Sequence, residues 1–169
     1  MRKCFLSLGL PLILLSTLLG CSNTSDVAEN SDNNTSDRQQ APPIEVNSFS
    51  SERLFAAGGG GCGMSLWKAE AGESNNGFLF FNGIEKNSAL ISLDGKITKL
   101  NRISSAGEKF YGQQTEQTFT TEDGSTIVKV NVTLGEPGEI ESVNIPRGTI
   151  ALERGEQNKD ITVKGDAGC

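Results

Sequence analysis

The chain has 169 residues, of which 36% are hydrophobic and 6% aromatic, and its 15 basic against 21 acidic side chains give a formal charge of -6. That length has room for one ordinary domain, and the acidic balance argues against nucleic acid as a partner, because phosphate binding needs a basic footprint. The chain contains no histidine, which removes the commonest general base and metal ligand and, with it, Ser-His-Asp and Cys-His catalysis.

Arg2 and Lys3 precede an apolar run over residues 5–19, broken only by Ser7, Gly9, Pro11, Ser16 and Thr17. This reads as the charged and apolar regions of a secretion signal. A spanning helix needs about 20 apolar residues, and this run is shorter and holds a proline. It ends on Leu18-Leu19-Gly20-Cys21, which resembles the lipobox of bacterial lipoproteins: an aliphatic residue three before the cysteine, a small residue just before it, and the cysteine itself. The resemblance covers residues 1–22. It implies cleavage before Cys21, a diacylglycerol on the Cys21 thiol, a further fatty chain such as palmitate on the new amino group, and membrane lipid as partner. Two or three acyl chains anchor stably where one is marginal. Ser22, in place of an aspartate, resembles the pattern for export to the outer membrane, so the implied location is the bacterial envelope, on its periplasmic or surface side. Loss of Arg2 and Lys3 would take the charge to -8, and Cys4 lies in the discarded segment.

Residues 21–51 change abruptly to Ser, Asn, Asp, Thr and Gln with a Pro42-Pro43 pair. Such a stretch buries too little surface to offset its ordering entropy and reads as a disordered linker with a root-mean-square reach of about 30 Å. A short helix, Ser50-Ser51-Glu52-Arg53-Leu54-Phe55, with Ser50 as its cap, opens the globular domain assigned to residues 52–169.

After residue 62, alternating apolar residues and glycine-marked turns predict strands over 64–68, 77–82, 89–93, 97–103, 109–113, 116–121, 126–134, 139–145, 149–153 and 160–164. Asp94-Gly95 and Asp123-Gly124 sit between such runs, where two-residue hairpin turns need positive φ. The second places Phe119 opposite Val128 and Gln117 opposite Val130. The first leaves two registers open, with Leu93 paired to Lys96 or to Ile97. Further turns are expected at 135–138, 146–148 and 155–158. The predicted class is all-β, an antiparallel meander closed as a small barrel or folded as a sandwich.

Once Cys21 is lipidated, Cys62 and Cys169 remain, and two cysteines in an exported domain pair as a disulfide. They make at best half a zinc site without histidine and no CxxC redox motif. The glycine-rich 58–63 run lacks the Lys-Ser or Lys-Thr of a phosphate loop, and neither Asp-Gly turn carries the ligand series of a calcium loop. No metal or cofactor is expected. Phe78 and Phe80 alternate with Leu79 and Phe81, so this strand carries large apolar groups on both faces. It is either central with both faces covered, the favoured reading, or it presents Phe78, Phe80 and Phe81 as a candidate docking patch.

The function expected from these features is a non-catalytic binding or structural module of the envelope, with an envelope protein or glycan as partner. One alternative is an inhibitor of a lysozyme-like hydrolase, prompted by an architectural likeness to lysozyme-inhibitor lipoproteins, which are also small disulfide-tied barrels behind a lipobox. Another is a hydrolase working through a pair drawn from Glu108, Glu116, Glu122, Asp123, Glu139 and Glu141, which would have to face each other across a cleft.

Overall fold

The computed structural model describes residues 41–70, 77–138 and 141–169; the signal segment, Cys21 and the linker up to residue 40 lie outside the described residues. One helix and eight strands follow in order: α1 (Ser51–Ala56), β1 (Gly63–Lys68), β2 (Phe80–Gly83), β3 (Ala89–Leu93), β4 (Lys96–Phe110), β5 (Gln113–Thr121), β6 (Ile127–Thr133), β7 (Ser142–Arg154) and β8 (Gln157–Gly168). Each strand pairs antiparallel with the next, and β8 returns to β1, so the meander closes as a barrel without open sheet ends.

Alternation along the strands sets the two faces. In β6, Val128, Val130 and Val132 are buried while Asn131 and Thr133 are exposed. Met64, Leu66, Phe80, Ile91, Phe119 and Ile150 belong to the same central cluster, where the Phe80 and Phe119 rings meet edge-on at 5.4 Å. Each such side chain contributes about 1.5–3 kcal/mol by leaving water. Outside, Lys129 pairs with Glu153. An apolar interior with charges outside is the reverse of a membrane-spanning barrel. Among the described residues no helix is long and apolar enough to cross a membrane.

Ten strands were expected and eight form, because one predicted strand is divided by a turn and one predicted pair merges. The predicted 97–103 strand lies within β4, which runs on to Phe110 with register shifts between Arg102 and Ser104 and between Ala106 and Lys109, while the predicted 109–113 strand is divided between the end of β4 and the start of β5. The turn falls at Tyr111-Gly112, where φ is 36° and 73°. The turn expected at 146–148 is instead a bulge inside β7: Ile145 faces Gly165 and Gly148 faces Val163, which leaves one extra residue on β7. Pro146, with no N–H to give, sits where the ladder is interrupted.

Both Asp-Gly pairs lie at hairpin ends, with different geometry. Asp94 and Gly95 both have positive φ, 50° and 79°, so the turn has two residues and Leu93 pairs with Lys96. At Asp123-Gly124 the expected register holds, Phe119 to Val128 and Gln117 to Val130, yet only Gly124 of the pair has positive φ. The connection is four residues long, because the Thr121 N–H donates to the Thr126 carbonyl while the Thr126 N–H donates to Thr121 Oγ1.

The chain reaches the barrel earlier than the linker boundary at residue 51 implied, since Ile44, Val46 and Phe49 are buried. The β2–β3 ladder spans only Phe80–Ile91 and Phe81–Leu90. Beyond it the two strands part, and residues 45–49 fill the gap as a strap: Phe49 bridges Phe78, Val46 bridges Leu93, and the Asn47 N–H donates to the Ser92 carbonyl. Before that, Lys159 Nζ donates to the Ile44 carbonyl, and Ile44 joins the barrel core. After it, Ser50 caps α1 by accepting from the Arg53 N–H, and Leu54 packs with Phe49, Phe81 and Leu90 as a second cluster.

The cysteines expected to pair do so. Cys62 and Cys169 form a disulfide across 107 residues, joining the entrance of β1 to the end of β8.

Candidate functional site

The barrel has two different ends. The β3–β4, β5–β6 and β7–β8 turns gather at the strap end, where Gln157 Nε2 donates to the Ala41 and Pro42 carbonyls. A shallow depression of about 820 Å³ lies there, lined by Asp94, Lys99, Glu122, Asp123 and Arg154 among others. Two of its carboxylates are already engaged within the fold. Arg154 pairs with Asp94 at 2.7 Å. Burial pushes the Asp94 carboxyl up, but the Glu45 N–H, Arg154 and Lys159 outweigh it and hold it below its ordinary value. Asp123 Oδ1 accepts from Thr121 Oγ1, the Ser125 N–H and Ser125 Oγ, which lowers its pKa to about 2.

At the disulfide end the core becomes polar. Inward positions of β2 and β5 that continue the Phe80 and Phe119 faces are Asn82 and Gln117, joined by Gln113; all three are buried. Asn82 Nδ2 donates to Gln113 Oε1 and, at 3.1 Å, to Gln117 Oε1. Gln113 Nε2 donates to the carbonyls of Asn82 and Gly83, and Gln117 Nε2 donates to Gln113 Oε1. On β4, Arg102 is half-buried and donates from NH1 to Gln117 Oε1 at 2.9 Å, while its own N–H donates to Asn87 Oδ1. These bonds meet the need of buried amides for partners and fix their rotamers.

Above this cluster the β4–β5 turn encloses a depression of about 310 Å³, lined by Arg102, Lys109, Phe110, Tyr111, Gln113 and Gln114 around Gly112. Ile84 and Ile103, both more than half exposed, flank this end of the barrel. This is the arrangement best suited to holding a ligand: fixed polar groups at the mouth of a packed scaffold.

No protein family, curated protein or solved structure matches the chain. The site therefore rests on its own geometry.

The phenylalanines singled out in the sequence are distributed over two clusters. Phe80 lies in the barrel core and Phe81 under α1, while the partly buried Phe78 packs against Phe49. Both faces of that strand are covered by the chain itself. The candidate carboxylates are dispersed: Glu122 and Asp123 sit at the strap end, Glu108 and Glu116 on the β4–β5 arm and Glu141 just before β7, while Glu139 lies outside the described residues. Among the described residues no group of three or more His, Cys, Asp or Glu could hold a metal ion. The amide cluster was not anticipated, although its signal is present. Gln117 alternates with Phe119 and faces Val130 in the expected register, which puts an amide at a core position.

Proposed function

We propose that the chain is a membrane-anchored envelope lipoprotein, acylated at Cys21, whose barrel is a non-catalytic binding module that recognises an envelope protein or glycan through its disulfide end. The observation that carries this reading is the locked set of Asn82, Gln113, Gln117 and Arg102 beneath an open depression. Interior volume is filled by side chains, so recognition falls to the barrel ends and outer wall. The described chain enters at the strap end, which leaves the disulfide end unencumbered by the linker's attachment point. The lipobox resemblance supplies the anchor and the outer-membrane setting.

Two measurements test the proposal. Mass spectrometry of the membrane fraction should find acylated Cys21 as the N-terminus; an uncut, unmodified N-terminus would sink the anchor. A photo-crosslinking amino acid at Gln114 should trap a discrete envelope component in living cells, whereas the same probe at exposed Glu156 should not. Equal or absent crosslinks at both positions would remove the disulfide end as the recognition surface.

A further inference from the structure

We infer that the depression at the β4–β5 turn is a binding site for a carboxylate attached to a small apolar or aromatic group. This deepens the binding-module reading and rests on it. In a chain with more acids than bases, none of the residues lining the depression is acidic, and two, Arg102 and Lys109, are cations. Neither forms an ion pair with a described residue.

Arg102 carries most of the argument. Arg102 is half-buried, and where its guanidinium meets Gln117 a neutral amide oxygen stands in place of water and replaces that hydration only in part. One NH1 bond to Gln117 Oε1 orients it. That oxygen is itself gripped by Asn82 Nδ2, so the anchor of the guanidinium is a buried network rather than a mobile surface group. The remaining N–H donors of the planar fork have no described partner and match the two oxygens of a carboxylate. Preorganisation spares a ligand the entropy of ordering the arginine. Lys109 adds a second positive charge, and Phe110 and Tyr111, whose side chains pack into or against the barrel core, line the depression beside it. A volume near 310 Å³ stands at the small end of ligand pockets, which suits a compact molecule or the carboxyl end of a chain.

The test uses the 15N-labelled full chain in detergent micelles, titrated with sodium benzoate, with inorganic phosphate and with neutral benzyl alcohol at constant ionic strength. Benzoate should give saturable shifts at the Gln113 and Gln114 amides and the Arg102 Nε–H, and benzyl alcohol should not. Arg102→Gln should weaken benzoate about tenfold and Lys109→Gln about threefold. Lys109 is exposed, so its variant remains informative should Arg102→Gln fail to fold. No saturable shift up to about 50 mM benzoate, unchanged affinity in Lys109→Gln, or saturation by phosphate in preference to benzoate would overturn the inference. The crosslinking result at Gln114 is independent of these outcomes, so failure of the ligand class and failure of the binding-module reading are distinguishable.

Discussion

Val46 forms an antiparallel bridge with Leu93 at the point where β2 has turned away from β3. The barrel wall is therefore completed by a segment that precedes its first strand, and residues 44–49 belong to the folding unit. Phe49, 2% exposed, and Phe55, 64% exposed, lie six positions apart on either side of this distinction.

Phe49→Ala should cost about 3–5 kcal/mol, and Phe55→Ala should stay within about 0.5 kcal/mol of the parent chain. Denaturant unfolding of the oxidised protein measures both. Equal effects would mean that the strap is not part of the cooperative unit.

The amide cluster predicts an asymmetric response. Gln113→Ala strips the Asn82 and Gly83 carbonyls of their donor and should destabilise by about 1–3 kcal/mol through those unpaired groups alone. Gln114→Ala, in the next and more exposed position, should have little effect. Unfolding curves of the two variants compare them directly.

Closure depends on Gly165, which faces Leu66 across the β1–β8 seam. A Cβ there would lie 2.0 Å from the Ser65 carbonyl oxygen, so Gly165→Ala must push the two strands apart. The expected loss is about 3 kcal/mol or more, at or beyond the upper end of ordinary overpacking. Gly95→Ala meets no atom within 4 Å, although its positive φ carries a smaller cost. Thermal melts should rank the two in that order.

Reduction of Cys62–Cys169 should remove stability on the order of 4.7 kcal/mol in the chain-entropy account of so long a loop. The check is unfolding with and without a phosphine reductant, alongside a Cys62→Ala/Cys169→Ala chain that should match the reduced form.

Acid should weaken the β5–β6 turn. Asp123 titrates near 3.8 in the unfolded chain and at about 2 in the folded one, so the folded state favours its carboxylate. Its contribution is fully present above pH 3.8, declines as pH falls toward 2 and vanishes below that. The melting-temperature gap between the parent and Asp123→Ala should therefore narrow between pH 4 and 2, and a gap constant over that window would contradict the assignment.

Much of the barrel was legible because burial on one face writes a two-residue period into the sequence, as in Val128, Val130 and Val132. The long strands were harder to read. Residues 103–109 of β4 are exposed on both sides, so no period marks them, and Pro146 signals a turn where a bulge absorbs it. The strap was hidden by composition. Ile44, Val46 and Phe49 are sparse among polar neighbours, and only the parting of β2 from β3 gives them a place to go. The candidate site was missed for a related reason, since its chemistry depends on which strands lie side by side. Arg102 and Gln117 are 15 positions apart and meet only once β4 and β5 are paired.

The disulfide and the strap also divide the way this barrel would carry mechanical load. Tension applied to the chain before residue 41 would reach the Gln157 and Lys159 contacts first, then the bridges at Leu93 and Phe78. Hydrogen bonds met one after another peel at low force. The opposite end would be spared while they yield, because Cys62 and Cys169 hold the β1–β8 seam covalently there. Pulling would thus be absorbed by a sacrificial segment, with the depression around Arg102 still assembled.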